Sequence, residues 1–107
     1  MIESFADKET EDIFNGINSK KARQRLSLIL WEKAQTKLDM LNRAYRLDDL
    51  KIPSNNRQEK LQGDLAGNYS IRINDQYRII FKWNENSCSI LEVKIIDYIR
   101  RIHVTNV

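Results

Sequence analysis

The stretch GNYSIRINDQYRIIFKW, residues 67–83, decides how this chain folds. Tyr69, Ile71 and Ile73 alternate with Ser70, Arg72 and Asn74, and after a break Tyr77, Ile79, Phe81 and Trp83 alternate with Arg78, Ile80 and Lys82. A period of two is that of a strand with one face buried. Asn74 and Asp75 supply a tight turn between the two runs, so the spacing predicts a β-hairpin. Its apolar face seeks a core, and its other face carries Arg72 and Arg78. Turn geometry predicts these two cations as cross-strand neighbours or near diagonals, where like charges repel unless something anionic relieves them. Two readings follow. Either the pair grips an anionic ligand, or each cation is neutralised locally, Arg72 by Asp75 and Arg78 by an acid such as Glu92.

Beyond the hairpin, NENS (84–87) reads as a loop, and CSILEVKIIDYI (88–99) as a last strand with Leu91, Val93 and Ile95 on one face and Glu92 and Lys94 on the other. On the N-terminal side, GDLAG (63–67) marks a bend. Pro53, with Asn55 and Asn56, stops any helix entering DDLKIPSNNR (48–57). From Lys20 to Tyr45, Leu26, Leu30, Ala34, Leu38, Leu41 and Tyr45 recur at three- and four-residue steps. That spacing predicts a long amphipathic helix, or two helices broken near Thr36. A shorter helix starts at Asp7 as N-cap, with acids in its first turn, and stops at Gly16. IESF (2–5) is long enough only for a short strand. Trp31 and Trp83 fall on apolar stripes and belong to the core. The predicted fold is α+β, with N-terminal helices packed on one face of a small antiparallel β-sheet and the opposite face open and basic.

A length of 107 residues suits one domain, residues 1–107, and 41% apolar with 31% charged residues is the balance of a chain that folds. No apolar run reaches the roughly 18 residues of a membrane span, and MIESFADKET is acidic where a secretory leader is basic, so no membrane association and a cytoplasmic location are expected. The net charge of +3 is unevenly spread. Glu3, Asp7, Glu9, Glu11 and Asp12 make one end acidic, whereas KKARQR (20–25), the set Arg57, Lys60, Arg72, Arg78 and Lys82, and the pair Arg100 and Arg101 are basic. An asymmetric basic surface suggests a polyanionic partner.

The inventory of reactive groups narrows the chemistry. His103 and Cys88 are the only histidine and cysteine, so His/Cys ligands for zinc are not available within one chain. Three glycines make neither a phosphate-binding loop nor a dinucleotide fingerprint. No cofactor and no metal are expected. RNA brings its own nucleophile, the 2′-hydroxyl. Its scission asks only for fixed cations at the phosphate, a proton acceptor and a proton donor, and arginine suits the first task because it stays charged and binds two oxygens at once.

MIESF, KAQTKLDMLNRAYRLDDL, NRQEKLQGDLAGNYSIRINDQYRIIFKW and VKIIDY, in that order and spacing, resemble the HigB toxins of bacterial toxin–antitoxin systems, within the RelE-like superfamily. The resemblance implies a compact α+β toxin domain and a cofactor-free endoribonuclease that cuts messenger RNA in the ribosomal A site, in contact with ribosomal RNA. It also implies a HigA-type antitoxin with a helix-turn-helix, through which the complex reaches operator DNA. Carried over residue by residue, the family's arginine on the penultimate strand corresponds to Arg78 and its terminal Asp-Tyr pair to Asp97 and Tyr98. Candidate RNA contacts are Arg57, Lys60, Gln62 and Arg72. Gln62 and Ile99 stand where the family commonly has lysine and histidine, with Lys60 and His103 as the nearest replacements, and residues 100–107 form a tail beyond the family's usual end. A relative that only binds its antitoxin and takes part in operon regulation, or a general RNA-binding module, are the alternative functions.

Overall fold

In a computed structural model of the protein, residues 1–99 are described. The tail from residue 100 onward, His103 included, lies outside the described residues. Three helices, α1 (Lys8–Asn15), α2 (Lys20–Arg25) and α3 (Trp31–Arg43), precede a four-stranded sheet of β1 (Glu59–Lys60), β2 (Tyr69–Arg72), β3 (Tyr77–Asn84) and β4 (Ser89–Asp97). The strands are antiparallel in the order β1-β2-β3-β4. Helices on one face of an antiparallel sheet are what the change of period from 3.6 to 2 predicted.

Asp7 caps α1 by accepting the Thr10 N–H at 2.9 Å, and Gly16 ends it in the left-handed conformation that glycine adopts without strain. The long helix predicted over residues 20–45 is not continuous, and its break lies at Leu26 to Leu30 rather than near Thr36. Leu26 turns extended, and its carbonyl accepts the Trp31 indole N–H at 2.7 Å instead of a fourth-neighbour amide. The apolar stripe survives the break, since Leu26, Ala34, Leu38 and Leu41 are all buried. Tyr45 lies past the helix end and is 80% exposed, so it does not extend that stripe.

The core is formed by Ile13, Leu26, Leu38 and Leu41 of the helical layer against Ile71, Ile73, Ile79, Phe81, Ile90, Val93 and Ile95 of the sheet. Each such side chain stabilises the fold by about 1.5–3 kcal/mol on burial. Residues 2–5 run parallel to β4 as two isolated bridges, Ile2 to Ile90 and Phe5 to Val93, in place of the short strand expected there. The predicted facing of β4 holds for Val93 and Ile95 but not for Leu91. The pairing with β3 shifts between Ile80 and Lys82, and Glu92 takes a positive φ of 54°. An extra residue at such a bulge reverses the alternation, so Ile90 enters the core and Leu91 does not.

The second face of the sheet is not open. Ser70, Arg78 and Ile80 lie on it and are all buried. Residues 57–61, with β1 at their centre, run along this edge of the sheet, and Leu61 is buried as well.

Candidate active site

Arg72 and Arg78 stand directly opposite each other across β2 and β3, within the range the turn geometry allowed. Their charges are relieved separately. Arg72 is half-buried and forms an ion pair with Asp75 in the turn. Arg78 is only 7% exposed. Burial lowers its pKa from the usual arginine value, Glu59 and Tyr98 work against that shift, and Arg72 and Arg57 add to it. A guanidinium starts so high that it remains a cation at any working pH.

Among the described residues, four groups hold it. Arg78 Nε donates to Ser70 Oγ at 2.8 Å, and Nη2 donates to the Arg57 carbonyl. Nη1 lies 3.6 Å from Glu59 Oε1. The Tyr98 ring covers the guanidinium, 5.1 Å from its carbon to the ring centroid, at cation–π range. Tyr98 Oη in turn donates to the same Glu59 oxygen at 3.3 Å. The acid beside Arg78 is therefore Glu59, and Glu92 pairs with Lys82 at 3.0 Å.

Local structure explains each position. Glu59 pairs with Ser70 and Ser70 with Ile80, so the Glu59 side chain shares the Arg78 face. By the same alternation Lys60, paired with Tyr69, lies on the helix-facing side, and the structure does not bring it to Arg78. Arg57 presents its backbone to Arg78 from a left-handed conformation, φ 46°, while its side chain stays exposed. Gln62 is exposed at the start of the turn formed by Gly63–Leu65. Tyr98 follows the end of β4 and is fixed there by its N–H, which donates to the Gln76 carbonyl at 2.7 Å. The Gln76 side-chain amide donates to Asp97 Oδ2 at 3.0 Å, so Asp97 fastens the residue that anchors Tyr98. Ile99 is 51% exposed.

Burial first, then the Glu59 charge, raise the pKa of Tyr98 above its usual 10, against the pull of Arg78. The phenol is thus protonated at neutral pH and is a donor. Glu59 is half-exposed and is the carboxylate acceptor beside it. A guanidinium has five N–H donors, and Ser70 and Arg57 take two, which leaves three for Glu59 or a ligand. Fixed cation, acceptor and donor converge on one point, which is the equipment for moving a proton off a hydroxyl and stabilising a charged phosphate. No group of three or more His, Cys, Asp or Glu arranged to hold a metal occurs among the described residues. Sequence reasoning missed Glu59, because a strand of two residues has no period from which to read its face, and it placed Ser70 on the right face without a role, because a face does not name the partner of a hydroxyl.

A profile of the family described as the RelE-like toxin of type II toxin–antitoxin system HigB matches residues 3–98. Toxin HigB-1 of Vibrio cholerae serotype O1 is 53% identical over 84 residues, which cover 78% of this chain and 84% of that protein. Among solved structures, YafQ from E. coli superposes with a TM-score of 0.55 at 14% identity, covering 87% of this chain and 91% of that one. YoeB in the YoeB–YefM complex from Staphylococcus aureus gives 0.52 at 20% identity, covering 88% and 95%.

Proposed function

The chain belongs to the HigB family of RelE-like toxins of type II toxin–antitoxin systems, and on that premise we propose that it is an endoribonuclease that cuts messenger RNA on the ribosome. The attacking group is the RNA's own 2′-hydroxyl. Glu59 takes its proton, the new bond forms between the 2′-oxygen and phosphorus, and the bond from phosphorus to the 5′-oxygen breaks with a proton delivered by Tyr98. The products are a 2′,3′-cyclic phosphate and a 5′-hydroxyl. Arg78 stabilises the charge that builds on the non-bridging oxygens, where a preorganised cation acts most strongly. Exposed Arg57 and Gln62, with half-buried Arg72, offer contacts to neighbouring nucleotides. The partners are A-site messenger RNA with its ribosomal RNA surroundings and a HigA-type antitoxin, through which the complex reaches operator DNA. A cytoplasmic location follows from those partners.

One observation carries the reading. A single Glu59 oxygen lies within reach of both the Arg78 guanidinium and the Tyr98 hydroxyl. Expression in cells tests it: growth arrest with cleaved transcripts is expected, and Arg78→Ala should abolish both while the protein stays folded. Gln62 and Ile99, in place of the family's lysine and histidine, favour a second reading, a relative that only binds its antitoxin and takes part in operon regulation. Normal growth on wild-type expression, with antitoxin binding retained, would establish that one instead.

A further inference from the structure

Lys37 is a cation in the wrong place for a purely structural role. It sits on the core-facing side of α3, between the buried positions Ala34, Leu38 and Leu41, and is only 5% exposed. Among the described residues its hydrogen-bond acceptors are two neutral side chains, the Asn56 and Asn55 amide oxygens, the latter at 3.5 Å. The charges that bear on it, Lys33 and Arg72, are both positive. A buried ammonium without an opposite charge lowers stability, and an apolar side chain of similar length would avoid the penalty. The position of such a group, hydrogen-bonded to a fully buried amide, points to something that its hydrogen bond does.

What it does is visible one residue further along. Asn56 is fully buried and clamped at both ends of its amide. Its oxygen accepts from Lys37, and its nitrogen donates to the Leu50 carbonyl at 3.2 Å and contacts Met40 Sδ at 3.7 Å. The next residue is Arg57, whose carbonyl receives Arg78 Nη2, and two residues later comes Glu59, which lies beside Nη1 and accepts from Tyr98. Among the described residues, two of the three polar contacts of Arg78 thus come from a short segment fastened to α3 at Asn56. Ser70, on β2, is the third.

We infer that Lys37 is a positioning residue of the candidate active site: through Asn56 it sets where the Arg57 carbonyl and the Glu59 carboxylate stand, and so fixes the guanidinium of Arg78. The inference rests on the nuclease reading above for its effect on cleavage, but not for its effect on geometry, so its test has one readout for each. The first is cleavage of messenger RNA on translating ribosomes. Lys37→Met should lower kcat about tenfold or more with KM little changed, and the loss should shrink to less than twofold in an Arg78→Lys background. A loss of equal size in both backgrounds, or wild-type cleavage by Lys37→Met, overturns the inference. The second is the Arg78 Nε–H signal in nitrogen-15 NMR of the full chain. It should be sharp and slowly exchanging in the wild type and should move or broaden in Lys37→Met, while a core variant away from the clamp, Ile13→Val, leaves it in place. An unchanged signal in Lys37→Met overturns the inference whether or not the wild type cleaves RNA. A wild type that does not cleave, with a displaced signal in the variant, overturns the nuclease reading and upholds the clamp.

Discussion

Replacing Glu59 by Gln should move cleavage and binding in opposite directions. The carboxylate lies 3.6 Å from Arg78 Nη1 and is about half-exposed. Two unit charges at that distance attract by about 1 kcal/mol in water and about 4–5 kcal/mol at an effective dielectric constant near 20. Because the acid side is open to solvent, the water limit is the better guide, which leaves about 1 kcal/mol. In the free protein that attraction competes with the phosphate for the guanidinium. Glutamine keeps the shape and removes the charge, so affinity for a ribosome programmed with a 2′-O-methyl messenger should rise up to about fivefold. Cleavage should fall, because a positioned base contributes roughly 10²- to 10⁴-fold, or about 3–5 kcal/mol of barrier. Folding stability should change by less than about 1 kcal/mol, as expected for a half-exposed pair. Single-turnover cleavage and equilibrium binding on the same ribosomes measure both effects. Cleavage within threefold of wild type, or weaker binding by the variant, would refute the role of Glu59 as base and competing anion.

Tyr98→Phe keeps a ring over Arg78 but removes the hydroxyl that meets Glu59, so single-turnover cleavage should fall by about 10²-fold while binding to programmed ribosomes stays within twofold. Asp7→Ala removes the N-cap of α1 and the 2.6 Å ion pair with Arg25, and urea unfolding at pH 7 should show a loss of about 1–2 kcal/mol. Burial works against the charge on Asp7, but the Thr10 hydrogen bonds and Arg25 prevail and hold its pKa below 3.8. Its folded pKa is therefore lower than its unfolded one, so the stability it adds is present above about pH 4 and is lost as the pH falls through the folded value. The wild type should lose its advantage over Asp7→Ala in that acid window.

The hairpin was legible because local chemistry alone determines it. Asn74 accepts the N–H groups of Gln76 and Tyr77, and the apolar residues on either side keep a strict period of two. Where tertiary contacts override local preference, the pattern is silent. The indole of Trp31 breaks a helix whose apolar stripe runs on unbroken, and the left-handed Glu92 reverses the facing of Leu91 in a run that reads as plain alternation. Arg78 shows the limit most sharply. Alternation assigns a residue to a face of the sheet, but whether that face meets water depends on what lies over it. The cover here is the Tyr98 ring together with the segment from Asn56 to Leu61, which holds the end of a turn and a two-residue strand and so has no period of its own. That segment supplies the Arg57 carbonyl and the Glu59 carboxylate, and it is what makes a strand cation into a buried, oriented guanidinium. Two of the residues that give Arg78 its chemical character, Arg57 and Glu59, therefore lie in the part of the chain with the weakest sequence signal, because their placement comes from pairing with Ser70 and from the anchor at Asn56.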